Sequence, residues 1–264
     1  MSAKFFSFPC LGDCRKLVDV MLTNQQDAYG RIVWDHLRGK PTREIIERDD
    51  GWFDVSGGAP SYFAEFNHWP RHHQAAMKYV RGRVLDVGCG AGRCCLHLQK
   101  RGQPVVGIDA SPLAIKTCRA RGVKDARVLP FTRIHRGLGQ FDAILMMGNN
   151  FGLFGSRRRA RWLLRRLHGL TSPDARIVAE SSDIYQTRNP GHLQYHRFNR
   201  RRGRMNGQLR IRVRYQRYCS PWFDYLMVSP DEMEAILAGT GWRVQRFLKS
   251  AGPMYVAVIE KERG

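Results

Sequence analysis

The stretch VLDVGCGAGR, running from Val84 to Arg93, sets an apolar run and an acid against three glycines at alternate positions. A short, nearly continuous apolar run is what a strand buried on both faces looks like. Gly88, Gly90 and Gly92 then let the backbone turn tightly and come close to a ligand. A helix starting near Gly92 would point its free N–H groups and positive dipole end at the same place. Working outward, strands are expected at Arg83–Val87, Pro104–Ile108, Arg127–Pro130, Phe141–Met147 and Arg176–Ser181. Helices are expected between them at Gly92–Arg101, Pro112–Arg121 and Ser156–Gly169. This alternation predicts an α/β fold with a doubly wound, mostly parallel sheet. Downstream, Ser229 and Pro230 start a helix through Ala238, and Trp242–Leu248 and Met254–Glu260 read as two closing strands.

Two segments flank or interrupt the pattern. Residues 1–80 read as an N-terminal helical lid, with a helix over Asn24–Leu37 capped by Thr23 or Asn24, a turn-rich stretch at 51–61 and a second helix at 70–80. Residues 81–264 form the sheet domain, and 184–226 within it read as a basic β insert after the fifth strand, with no clear helix. There Leu209, Ile211, Val213 and Tyr215 alternate with Arg210, Arg212, Arg214 and Gln216, after the hairpin signal Asn206-Gly207.

The chain of 264 residues carries a formal charge of +21, and all the excess falls in residues 81–228, with 29 basic against 8 acidic residues. Such a field concentrates anionic partners. The seven cysteines include no CxxC pair, which suggests reduced thiols and neither a disulfide framework nor a zinc site. No apolar run approaches a membrane span, and no signal peptide is read at MSAKFFSFPCLGDC, so a cytoplasmic protein without a membrane is expected, as monomer or homodimer.

Which ligand would lie on the glycines? GxGxG with Asp86 two residues before it differs from the GxGxxG of dinucleotide sites. An acid beside the loop suits a cationic group better than a pyrophosphate. Asp109, 21 residues past Gly88, ends the second strand, where a carboxylate can accept both ribose hydroxyls. A ribose with a cationic tail and no phosphate describes S-adenosylmethionine. VLDVGCGAGR followed by VVGIDAS closely resembles the cofactor motifs of class I S-adenosylmethionine-dependent methyltransferases, over roughly Arg83 to Glu180. The resemblance implies a seven-stranded sheet with its last strand inserted antiparallel. It implies that Gly88, Cys89, Gly90 and Gly92 hold the methionine end, with Asp86 near its ammonium, and that Asp109 and Ala110 flank the ribose. Many members carry an acid for the adenine after the third strand. Here LPFTRI, residues 129–134, offers Phe131 and Thr132 instead. Met147 at the fourth strand end, and Tyr62 and Phe63 in the lid, complete the expected cofactor contacts.

The fourth strand ends in MMGNNFGLFG, residues 146–155, without the (N/D)PP(Y/F) motif of many DNA methyltransferases. Asn149 and Asn150 either hold a polar group of the acceptor or pin the loop. A general base is needed only where the nucleophile arrives protonated, and Asp183, Tyr185, His192 and His196 are the candidates after the fifth strand. Arg210, Arg212 and Arg214 would select an acidic acceptor if their face overhangs the site. The reading that follows is a methyltransferase acting on an O or N atom of a small, acidic metabolite or natural product, with S-adenosyl-L-homocysteine as by-product. The alternative is an RNA methyltransferase using the basic surface. A non-catalytic cofactor-binding protein sits poorly with the intact glycine loop and Asp109.

Overall fold

The computed structural model describes residues 22–262. Cys10 and Cys14 lie outside that range; the five other cysteines are free thiols. In chain order the elements are α1 (Ala28–Leu37), β1 (Ile45–Arg48), β2 (Phe53–Val55), α2 (Ala59–Phe63), α3 (Arg71–Ala76), β3 (Val84–Val87), α4 (Arg93–Lys100), β4 (Val105–Asp109), α5 (Pro112–Ala120) and β5 (Ala126–Val128). They continue with β6 (Phe141–Met146), α6 (Arg157–His168), β7 (Thr171–Ser182), α7 (Pro190–Arg201), β8 (Gln208–Tyr215), β9 (Tyr218–Cys219), β10 (Phe223–Leu226), α8 (Pro230–Leu237), β11 (Trp242–Lys249) and β12 (Met254–Lys261).

One sheet of seven strands runs in the order β11-β12-β7-β6-β3-β4-β5. Strands β3 to β7 are parallel, and β12 is antiparallel to both β7 and β11. Strand order reverses at β3, which lies between β6 and β4, and ligands of such sheets bind beyond the carboxyl ends at that crossing. Apolar side chains cover both faces. Ala160, Leu163, Leu164 and Leu167 of α6 are fully buried on one, and Cys94, Cys95 and Leu98 of α4 on the other. Arg157, Arg158, Arg165 and Arg166 of α6 stay exposed because its buried stripe recurs at helical spacing. Helix α8 starts as its sequence indicates, with Ser229 and Glu232 forming a reciprocal capping box.

The second sheet was not anticipated as a unit. Its order is β10-β8-β1-β2, with β9 paired to β8, and all its pairs are antiparallel. The N-terminal segment is therefore not purely helical; it supplies β1 and β2. These strands, IIER and FDV, are too short to show a period, and β1 finds its partner β8 only far along the chain. The insert in turn contains α7, contrary to the expectation of no helix. This helix buries only Tyr195, His196 and Asn199, so it lacks an apolar stripe. Its start was nonetheless written in Asn189, which caps Gly191, and in Pro190. Asn206-Gly207 joins α7 to β8 and makes no hairpin; the tight turn lies between β8 and β9, with Gln216 at φ 51°. The cap of α1 is Asp27, not Thr23 or Asn24. Its carboxylate accepts the Gly30 N–H and also the Ser111 hydroxyl at 2.6 Å and the Leu113 N–H at 2.9 Å, which ties α1 to the start of α5.

Candidate functional site

The glycine loop leaves β3 with Gly88 at φ 68° and Gly90 at φ 55°, conformations that side chains disfavour. A Cβ on Gly88 would lie 2.5 Å from the Asn150 amide nitrogen, and one on Gly90 2.3 Å from the Tyr29 hydroxyl. The loop is thus packed from above as well as turned. Asn150 donates to the carbonyls of Val87 and Gly88, at 2.9 and 3.0 Å. Of its two sequence readings, pinning the loop is the one this geometry provides. Asp109 closes β4, and its carboxylate accepts the N–H of Gly90 at 3.1 Å and of Ser111 at 2.9 Å. Burial pushes its carboxyl up to about 6 despite those hydrogen bonds.

A cavity of about 1000 Å³ opens over these strand ends. Its wall includes most of the candidates: Gly88, Cys89 and Gly90 from the loop; Asp109 and Ala110 from β4; Phe131 and Thr132 beyond β5. Met147, Asn149 and Asn150 line it past β6, as do Tyr62 from α2 and Asp183, His192 and His196 past β7. Others are elsewhere. Asp86 is buried beneath the loop, where it accepts the Cys95 thiol at 3.2 Å and burial raises its carboxyl to about 6. Gly92 caps α4 against Val123 and Cys118. Phe63 packs on His36 and under the Arg121 guanidinium, away from the wall. Tyr185 is exposed and donates to Glu232 at 2.7 Å. Asp183 uses its carboxylate to cap the backbone of Tyr185, and the Nδ1 of His192 lies 3.1 Å from the Thr187 hydroxyl. Burial lowers the pKa of both His192 and His196, which favours their neutral form.

Arg210, Arg212 and Arg214 are turned away from the cavity. The opposite face of β8, Leu209, Ile211 and Val213, lines it. The reason is the neighbouring strand. Glu47 of β1 stands opposite Arg212 in register and is gripped by the guanidinium groups of both Arg212 and Arg214. Hydrogen bonds from Arg212 hold the Glu47 carboxyl at about 2, with Arg214 adding to them. Arg210 lies 3.6 Å from Asp224 of β10. An alternating strand can bury only one side, and here acids from two flanking strands keep the arginine side outside.

Among the wall side chains that the sequence does not single out are Tyr29, Glu44, Arg48 and Tyr225. None carries a local motif, and each reaches the cavity through the second sheet or α1. Arg48 is neutralised in place by a two-pronged contact with Asp50, at 2.8 and 2.7 Å. Glu44 is 3% exposed and accepts the Tyr62 hydroxyl at 2.8 Å and the Ser56 hydroxyl. Burial raises its carboxyl, although both hydroxyls oppose the shift.

The loop after β6 is held by Glu180 of β7. One carboxylate oxygen accepts the N–H groups of Gly148 and Asn149 at 2.7 and 2.8 Å. The other meets His73 Nε2 at 2.5 Å and His72 Nε2 at 3.2 Å. Burial would raise this carboxyl, but the two imidazoles and the Asn149 N–H outweigh it and bring it to about 2. These three side chains lie close enough together to hold a metal ion. However, Arg93 Nη2 sits 3.3 Å from His73 Nδ1. A guanidinium only donates, so the ring proton belongs on Nε2, facing Glu180. The group is a hydrogen-bonded clamp between α3 and the loop. Asn149 adopts φ 66°, its carbonyl accepts the Tyr225 hydroxyl at 2.6 Å, and its side-chain oxygen is buried without a partner among the described residues.

The family profile described as "Methyltransferase domain" matches residues 84–174. The chain is 26% identical to a SAM-dependent methyltransferase from Bacteroides fragilis solved in complex with S-adenosyl-L-homocysteine, with a TM-score of 0.78 over 92% of this chain and 98% of that one. The CcbJ methyltransferase of Streptomyces caelestis, at 13% identity and a TM-score of 0.55 over 77% of this chain and 98% of that one, shares the fold. Among curated sequences, a putative methyltransferase of Geobacillus sp. (strain WCH70) is 24% identical over 131 residues, 47% of this chain and 53% of that protein. A ubiquinone biosynthesis O-methyltransferase of Chelativorans sp. (strain BNC1) is 37% identical over 57 residues, 22% of each chain. The chain spans about half the length of the first of these and about a fifth of the second.

Proposed function

The chain belongs to the class I S-adenosylmethionine-dependent methyltransferases, and from that premise we propose that it methylates an oxygen or nitrogen atom of a small acceptor with a largely apolar body. When bound, S-adenosylmethionine supplies an electrophilic methyl on a cationic sulfur. Asp109 would accept the ribose hydroxyls, the Gly88–Gly90 backbone would run along the methionine, and Phe131 and Thr132 would flank the adenine. Asp86 faces α4 and would act on the ammonium through the field of its charge. The packed cradle at Gly90 and the unpartnered Asn149 oxygen fit a ligand that comes close to backbone and offers a donor. Transfer between two bound molecules depends chiefly on alignment, and the second sheet covers the cavity and limits water.

The acceptor reading rests on one observation: Leu209, Ile211 and Val213 of β8 face the cavity while Arg210 pairs with Asp224, and Arg212 and Arg214 pair with Glu47. This removes the argument for an acidic acceptor that Arg210, Arg212 and Arg214 supplied, although Arg93 and Arg159 stand on the wall. Supplying labelled S-adenosylmethionine to the protein with fractionated cell extract is expected to place the label in the small-molecule fraction, to be identified by mass spectrometry. Leu209→Arg is expected to reduce that transfer roughly tenfold or more, because it leaves a charge in an apolar wall. S-adenosylhomocysteine affinity, read by calorimetry, should change less than about threefold.

The basic surface favours the second reading. Arg157, Arg158, Arg165 and Arg166 lie on α6, and a shallow cavity is lined by His135, Arg136, Arg165 and Arg166. On that reading, generic RNA should bind with an affinity that falls on the order of a thousandfold between 50 and 200 mM salt, and should take the label. On the small-acceptor reading the RNA fraction stays unlabelled at either salt.

A further inference from the structure

We propose that the Glu44 carboxylate is the catalytic base: it takes up the proton of the acceptor, which therefore reacts through a hydroxyl or an amine and not through a carboxylate. This rests on the reading of the cavity as a methyl-transfer site and goes beyond it by naming the proton acceptor and the state in which the substrate arrives.

Glu44 is costly to keep where it stands. Glu44 is 3% exposed, and no Lys, Arg or His among the described residues pairs with it, in a chain with 44 Lys and Arg against 23 acids. A buried carboxylate without a cation is expensive to keep. Other acids on or near the cavity are paired or used: Asp54 apart, Asp109 holds two backbone N–H groups, Asp183 caps a turn and Asp224 meets Arg210. In Glu44 both hydroxyl donors, Tyr62 and Ser56, bond Oε2. Oε1 accepts no hydrogen bond from a described residue and is left for the cavity that Glu44 lines.

The Tyr62 ring packs edge-on against Tyr29 with centroids 5.4 Å apart, and the Tyr29 hydroxyl rests on Gly90. Burial above all raises the Tyr29 hydroxyl, and the carboxylates of Asp109 and Glu44 add to it. Tyr225, whose hydroxyl bonds the Asn149 carbonyl, is likewise raised by burial and by Glu180 and Glu44. Through Tyr62 and then Tyr29, Glu44 is linked by direct contacts to the glycine loop that would carry the methionine, and it lines the same cavity as that loop. Among the described residues the side chains bonded to it are Tyr62 of α2 and Ser56 after β2; Tyr29 of α1 packs on Tyr62, and Tyr225 of β10 lines the same cavity. His192 and His196 sit instead among Arg48, Asp50, Asp54 and Arg200, none of which comes from the cofactor end. A carboxyl raised by burial is also better matched to proton uptake near neutral pH than an ordinary one.

The step balances simply. The acceptor's O–H or N–H bond breaks and its proton passes to Oε1. The acceptor's electron pair forms the new bond to the methyl carbon, and the carbon–sulfur bond breaks with its pair returning to sulfur.

The test compares wild type, Glu44→Gln and Tyr62→Phe. Glu44→Gln should bind S-adenosylhomocysteine within about threefold of wild type, yet transfer label to the small-molecule fraction of extract about a hundredfold more slowly. Tyr62→Phe, which removes a donor to the carboxylate, should move the acidic limb of transfer to higher pH whatever its effect on the maximal rate; a purely structural role would not move that limb. Infrared difference spectra of the complex with S-adenosylhomocysteine should show, besides the raised carboxyls of Asp86 and Asp109, a further one titrating above the usual glutamate range that is absent from Glu44→Gln. Glu44→Gln transferring at the wild-type rate, or a Glu44 carboxyl that titrates in or below the ordinary range, overturns the proposal and leaves the methyltransferase reading standing. If the wild type transfers no label from extract, the infrared titration decides. Failure of wild type to bind S-adenosylhomocysteine overturns the methyltransferase reading itself.

Discussion

Replacing Asp109 by alanine is expected to weaken S-adenosylhomocysteine binding by roughly 10- to 150-fold, the equivalent of losing about 1.5–3 kcal/mol of charge-assisted hydrogen bonding. The carboxylate lies on the cavity wall at the end of β4, held by the N–H groups of Gly90 and Ser111. Those two bonds orient it, so a ribose bound there would meet an acceptor already in place. Its raised titration, to about 6, gives a second signature. Only the ionised form accepts from both hydroxyls, so affinity should be full above pH 6 and fall as pH drops below it. Calorimetry from pH 5 to 8 checks both statements. An Asp109→Ala variant with wild-type affinity, or affinity flat across that range, would place the ribose elsewhere.

The second large effect is on stability. Glu180→Ala should destabilise the fold by about 3–5 kcal/mol, because it strands buried donors that the carboxylate now satisfies. For a chain of this size that is a fall of roughly 6–20 °C in melting temperature. The pH dependence follows from the sign of the shift. The Glu180 carboxyl is depressed from 4.5 to about 2, so its contribution is present above pH 4.5 and is lost as pH falls toward 2. Chemical denaturation across that window should show a slope in wild type that Glu180→Gln lacks. A variant as stable as wild type, with the same slope, would mean that the clamp on Gly148 and Asn149 carries no weight.

The parts of the molecule that could be read in advance share one property: their cause lies within a few residues. Gly88 and Gly90 are needed because the loop turns at positive φ under Asn150 and Tyr29. The helix at Ser229 starts where its capping box is written. The β3–β7 strands show as apolar runs because helices cover both faces. Where the cause lay far away, local reading failed. Arg210, Arg212 and Arg214 looked like a selecting face until Glu47 and Asp224 were brought beside them. Tyr185 looked like a candidate base, yet it bonds Glu232 at the surface. Glu44 had no visible partner or period at all, since its hydroxyl partners come from α2 and from the segment after β2.

By itself, then, the order of residues determined the parallel sheet, the glycine turn and the carboxylate at the end of β4, because strand burial, backbone freedom and helix starts are local demands that local side chains must meet. The tertiary structure alone decided the acceptor side. Strand β1 pairs with β8 across the length of the chain, and that pairing chooses which face of β8 looks inward and which acids neutralise the other. An alternating strand carries two possible faces with equal clarity; only the neighbours that pack against it select one.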